Sequence, residues 1–231
     1  MTDPSTTTWL QSLNALAGGL FLLATFGMVA TRQVQACLRL FVAQSLLLAL
    51  SAFLLSGLQH SWHTFVVGVL DLITKPIILP WLLRRTLRGE VYTRREITQV
   101  LNIPTSLLNA LALTVLAYLV VVPLLRVGDG AAIGLNLSIG LAGLLVGAFT
   151  AAVRREAVPL FLGFVAMENS AFFAGIAIAP GLPLIAEVSI AFDVLILVFV
   201  VGVLTRAVHE HIGTTEVGAL TTLKEEPKPW V

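Results

Sequence analysis

Residues 157–179 read AVPLFLGFVAMENSAFFAGIAIA, an apolar run with one formal charge, Glu168, near its centre. A helix needs about 20 mostly apolar residues, at 1.5 Å rise each, to cross the hydrocarbon of a bilayer. This run is long enough, and six others match it: 9–30, 36–58, 62–83, 99–124, 131–153 and 183–206. Short breaks with helix-ending chemistry separate them, among them Thr31-Arg32, Asp129-Gly130, Arg154-Arg155 and Pro180-Gly181-Leu182-Pro183. The reading is an all-α polytopic membrane protein of about seven transmembrane helices. Only residues 84–98 and the tail 207–231 are polar segments of any length, and the tail is expected to be flexible.

Composition agrees. Hydrophobic residues make up 57% of the 231 and charged residues 12%, with a mean hydropathy of +0.94. A soluble domain carries about 25% charge, so this chain cannot clothe itself in a water-compatible surface. A net charge of +1 gives no global field, and no basic cluster interleaves with aromatics as nucleic-acid binding requires. The single cysteine, Cys37, forms no intrachain disulfide and no thiolate metal cage. No Lys or Arg precedes the first apolar run, which argues for an uncleaved spanning helix over a signal peptide.

Basic residues set the expected orientation. Arg32, Arg84, Arg85, Arg88, Arg94, Arg95, Arg154, Arg155, Arg206, Lys224 and Lys228 fall on one side, and Arg126 alone on the other. The N-terminus is therefore expected outside and the C-terminus in the cytoplasm.

The first three spans echo the last three. Thr31-Arg32 answers Arg154-Arg155, and Phe41-Val42-Ala43 answers Phe164-Val165-Ala166, both at an offset of 123. Asp71 precedes Arg84 by the same interval as Asp193 precedes Arg206. Two three-helix repeats, 9–83 and 131–206, would then run parallel, joined by a loop and connecting helix in 84–130.

Charge inside the spans is costly, about 2.5–3.5 kcal/mol for Asp, Lys or Arg at a helix centre. Asp71, Lys75, Glu168 and Asp193 are therefore the leading candidates, with Arg39, Glu187 and His63 secondary. Asp71 and Lys75 are four apart and share a helix face. Their pairing is either a device for insertion or part of a proton relay. Pro76 and Pro80 remove backbone donors just beyond, making the third span the least regular. Glu168 and Asp193 have no basic residue within a turn of their own helices. Desolvation drives such a carboxyl toward its neutral form, so it either stays protonated or exchanges a proton near neutral pH. Arg39 either snorkels or pairs, and Glu187 and His63 lie toward outer span ends. Gly140, Gly143 and Gly147 give the fifth span a small-residue face for close approach. His209 and His211 have no third ligand nearby, and no nucleophile elbow, phosphate loop, zinc or haem motif appears. Such a chain is a conduit or coupling subunit without chemistry of its own.

The segments Gly163-Phe-Val-Ala-Met-Glu-Asn-Ser170, Leu182-Pro-Leu-Ile-Ala-Glu187, Ala191-Phe-Asp193, Ile73-Thr-Lys-Pro-Ile-Ile-Leu-Pro80 and Gly218-Ala-Leu-Thr-Thr-Leu-Lys224 carry a resemblance. The chain resembles component E of hydrogenase-4, a membrane subunit of formate-hydrogenlyase-type complexes built around a group 4 nickel–iron hydrogenase. The resemblance implies that the last three helices are similar to the K-type membrane subunit of respiratory complex I and to the small three-helix subunit of multisubunit cation/proton antiporters. It matches Glu168 and Asp193 to two buried glutamates of the proton-conducting axis, with an aspartate replacing the second. Gln44 and Ser45 stand where the repeat would put Met and Glu. It further implies no cofactor in this chain, and as partners antiporter-like subunits, a quinone-site-like subunit and a hydrogenase peripheral arm. The competing classes are a self-contained solute transporter, a cation-antiporter small subunit and an inert scaffold.

Overall fold

The computed structural model describes residues 4–59, 61–86, 100–125 and 131–178, together with Val198 and Gly202. Apart from the breaks at 31–33, 61, 100–102 and 154–156, these stretches are helical: α1 (Pro4–Ala30), α2 (Val34–Gln59), α3 (Trp62–Ile73), a π turn (Thr74–Ile78), α4 (Leu79–Thr86), α5 (Ile103–Leu125), α6 (Ala131–Val153) and α7 (Ala157–Ile178). Among the described residues, six stretches are long and apolar enough to cross a membrane: Thr7–Ala30, Val34–Leu58, Thr64–Trp81, Ile103–Pro123, Gly134–Val153 and Val158–Ile176. The protein is a polytopic all-α membrane protein. The expected span 183–206 and the tail 207–231 lie outside the described residues.

Local chemistry sets the helix ends. Pro4, Pro104 and Pro159 sit in the first turns of α1, α5 and α7, where a missing N–H costs nothing. Ser61 caps α3, its Oγ accepting from the Thr64 amide at 3.4 Å. Within the third span Pro76 cannot donate to residue 72, and the ladder re-forms in a wider turn, the Leu79 amide donating to the Thr74 carbonyl. The third span is thus α3, the π turn and α4 end to end.

The helices pack as a bundle in which α6 meets α7 most extensively and α1 meets α2. α1 also lies along α6, and α2 along α7. Contacts at both ends show that α1 and α6 run parallel: Asn14 meets Asn136 at one end, and Met28 and Thr31 meet Arg154 at the other. Lipid and protein interiors are equally apolar, so close packing must do much of the work of association. A Cβ on Gly140 would lie 2.6 Å from the Ala174 amide nitrogen, and one on Gly147 would lie 2.7 Å from that of Met167. The backbones of α6 and α7 touch at these points.

Of three apolar clusters among the described residues, two lie at different heights along α7. One joins Met28, Leu38, Phe41, Leu79, Leu83, Phe161 and Val165. The other joins Phe21, Leu48, Leu55, Ile139, Phe172, Phe173 and Ile176, with Phe21 and Phe173 stacked 4.8 Å apart. Along α7, residues 167–170 fall between the two, so the polar groups there form a layer walled above and below by aliphatic and aromatic side chains. The outside is apolar as well: Leu108, Leu111, Leu116 and Leu119 of α5 and Leu16 and Leu23 of α1 are exposed.

Gly147→Ala is expected to destabilise the protein by about 1–3 kcal/mol, the usual cost of overpacking a close contact. Gly19→Ala, where an added Cβ meets nothing within 4 Å, should leave the unfolding midpoint in detergent unchanged.

Candidate functional site in the membrane interior

The π turn begins where the charge is. It carries Lys75, whose ammonium Nζ lies 3.0 Å from Asp71 Oδ1 on the preceding turn. The same nitrogen lies 3.6 Å from Glu168 Oε1 of α7. It also sits 4.3 Å from the centroid of the Phe172 ring, one turn beyond Glu168, where the negative face of the ring attracts a cation. The three charged side chains are 3%, 9% and 15% exposed for Lys75, Asp71 and Glu168. An ammonium that deep is tolerable only if paired, and here it is shared between two carboxylates.

Glu168 is thus not the isolated acid that its own helix suggests. Its cation comes from the third span, 93 residues away in sequence, and helical spacing has no view of it. The Asp71–Lys75 proximity follows from the spacing of four; the reach to Glu168 does not.

The next residue of α7 turns to a different neighbour. Asn169 Nδ2 donates to Ser45 Oγ at 2.9 Å and to Gln44 Oε1 at 3.4 Å on α2. Gln44 Nε2 in turn donates to Thr25 Oγ1 on α1 at 2.8 Å, and that hydroxyl donates to the Phe21 carbonyl. Two turns along α2, Ser51 Oγ donates to Asn14 Oδ1 at 2.6 Å, and Asn14 Nδ2 donates to Asn136 Oδ1 at 3.1 Å. All of these side chains are buried. They form a polar seam joining α1 and α2 to α6 and α7, in an environment where an unmade hydrogen bond is expensive.

At the far end of α6, Arg154 is buried although it stands in a short inter-helix break. Its guanidinium donates to the carbonyls of Met28, Val29 and Thr31 at 2.6, 3.3 and 3.1 Å, supplying partners to the open C-terminal end of α1. Burial lowers the Arg154 pKa, and the neighbouring acid Glu156 is among the groups that oppose the shift. Read from the sequence, Arg154 is a topology signal and a corner of the internal repeat. Its burial and the seam escape that reading, yet a signal exists. Asn14, Gly18, Leu22 and Leu23 recur as Asn136, Gly140, Leu144 and Leu145 at a constant offset of 122.

Of the other candidates, Arg39 is exposed on α2 and His63 lies in the first turn of α3. Asp193 and Glu187 lie outside the described residues. Among the described residues, no group of three or more His, Cys, Asp or Glu side chains is placed to hold a metal ion.

Truncating Lys75 to Met would leave two buried carboxylates without their cation, a loss of about 3–5 kcal/mol for a broken buried pair. Combining Lys75→Met with Asp71→Asn and Glu168→Gln should recover most of that stability. The non-additivity is readable from thermal unfolding of the single, double and triple variants.

No family model matches the chain, and no solved structure matches it. It is 31% identical over 210 residues, 90% of its length and 94% of the relative's, to the uncharacterized protein Rv0085 of Mycobacterium tuberculosis. It is 26% identical over 221 residues, 92% of its length and 97% of the relative's, to hydrogenase-4 component E of Escherichia coli and to the protein of the same name in Shigella flexneri.

Proposed function

The chain belongs to the family of the mycobacterial protein Rv0085, and from that premise we propose that it is a membrane subunit of a hydrogenase-4-like, energy-converting complex. In this reading it holds no active site of its own. It couples electron transfer elsewhere in the complex to proton or sodium translocation through buried carboxylates. The alignment with hydrogenase-4 component E over nearly all of both chains supports the assembly. The observation that carries the coupling role is the Asp71–Lys75–Glu168 group, buried midway between two apolar clusters.

Chemically the group is suited to hold one exchangeable proton. Two carboxylates and one ammonium carry a net negative charge, and a single proton on either acid cancels it. A proton arriving from one side weakens that acid's hold on Lys75 and strengthens the other's, so a small shift of the ammonium accompanies transfer. Asp193 is a further member of the relay in this proposal. The partners are antiporter-like and quinone-site-like membrane subunits and a peripheral hydrogenase arm. The membrane is the bacterial or archaeal plasma membrane, with the N-terminus outside.

The two-repeat architecture belongs to the same proposal. Asn14 and Asn136 meet at a separation of 122 residues, and Thr31 and Arg154 at 123. Contact between residues at the repeat's own offset is what a two-fold axis along the membrane normal between two parallel copies would produce.

Glu168→Gln is expected to leave the complex assembled and electron transfer intact while reducing coupled proton uptake in inverted membrane vesicles by tenfold or more. Full pumping by an assembled Glu168→Gln complex would remove this residue from the mechanism. One observation favours a self-contained transporter, the π turn at Thr74–Ile78, since interrupted helices often line transport sites. Purification in mild detergent separates the two: large membrane subunits and a hydrogenase-like subunit should come with the chain, whereas a homo-oligomer that moves solute in vesicles would displace the reading.

A further inference from the structure

The arrangement of charges also bears on which ion this site accepts. Two carboxylates facing one another in an apolar interior, without a basic neighbour, would make a good sodium site. They supply up to four hard oxygen donors, the ligand type alkali and alkaline-earth cations prefer. Here the place between them is already taken. The Lys75 ammonium lies 3.0 Å from Asp71 and 3.6 Å from Glu168, and the Phe172 ring closes over it at 4.3 Å. Its aliphatic stem is anchored in the π turn, so it is present at every instant without having to be bound from solution.

We propose that Lys75 is a tethered internal cation that reserves the Asp71–Glu168 site for protons and excludes sodium. This deepens the reading above and rests on it for the statement that the site lies on the ion path. A second cation entering beside the ammonium, about 4 Å away, would meet a repulsion worth on the order of a thousandfold in affinity at the effective dielectric of a protein. It would also have to shed its water to fit beside the ammonium and the Phe172 ring. A proton meets neither obstacle. It forms an O–H bond on one carboxylate, adds no volume, and lowers the negative charge that the ammonium leaves uncancelled. The selection is therefore by charge and by size together, and both follow from the side chain at position 75. The Phe172 face adds to it, because it holds an ammonium well but offers no oxygen to a metal ion.

A latent sodium site should therefore appear when the tethered cation is removed. The full chain, purified in lipid nanodiscs, is titrated with radiolabelled sodium. Wild type should show no saturable binding. Lys75→Ala should bind sodium on the order of a hundred- to a thousandfold more tightly, and adding either Glu168→Gln or Asp71→Asn should abolish that gain. Lys75→Arg keeps the charge and should exclude sodium as wild type does, so it remains informative if the alanine variant folds poorly; elution profile and unfolding midpoint identify that case. Saturable sodium binding by wild type or by Lys75→Arg would overturn the proposal, and so would a well-folded Lys75→Ala protein that binds no sodium. The outcome is separable from that of the coupling role. Normal pumping by Glu168→Gln would defeat the functional reading, yet the contrast in sodium binding would still stand or fall alone.

Discussion

An ammonium buried between two carboxylates constrains everything around it. Each ion taken out of water costs several kcal/mol even after relaxation, and the cost is offset only while the partners hold good geometry. Lys75 must therefore be kept within reach of Asp71 on its own helix and Glu168 on another. This requires the third span and α7 to keep a fixed height and rotation. The π turn helps, because the wider turn after Ile73 absorbs the donor that Pro76 lacks while Lys75 stays on the Asp71 face. α7 is held in turn from behind, where the glycines of α6 let two backbones touch. Shifting α7 by a single residue would turn Glu168 about 100° away from Lys75.

The polar seam solves a related problem. With no hydrophobic force to drive helices together inside lipid, close packing and interhelical hydrogen bonds must hold the bundle. Asn14, Thr25, Gln44, Ser45, Ser51, Asn136 and Asn169 provide the second of these. They tie α1 and α2 to α6 and α7 at defined heights, and Arg154 fixes the same pairing at the end of α1. Asn169 and Glu168 are adjacent on α7 and so point to different helices. One anchors α7 to α2, and the other faces the charged group. The anchor and the charge are thereby set by a single helix orientation, which links packing to the site without any further device.

These two constraints together produce a bundle with an apolar exterior, two apolar interior layers and a polar layer between them. In the proposed reading, such a layer is where an ion can be held midway across the membrane and passed on sideways to a neighbouring subunit. The outward-facing leucines of α5 are compatible with lipid or with another membrane subunit.

Local composition is enough to settle the fold class, to place the six described spans and to reduce the intramembrane charges to a short list, because the cost of charge in hydrocarbon leaves few residues to consider. The spacing of four between Asp71 and Lys75 makes their pairing legible, and the prolines mark where the third span departs from regularity. The partner of Glu168, the burial of Arg154 and the seam through Asn14, Gln44 and Asn169 come instead from the way the helices pack. Periodicity reports which face of a helix a residue occupies, but not which other helix that face meets. A partial exception is the repeat: Asn14 and Asn136 stand at its offset, and if the two halves are copies, residues near the axis between them must meet. Nothing comparable links Lys75 to Glu168, which meet only because two helices far apart in sequence are packed at one height.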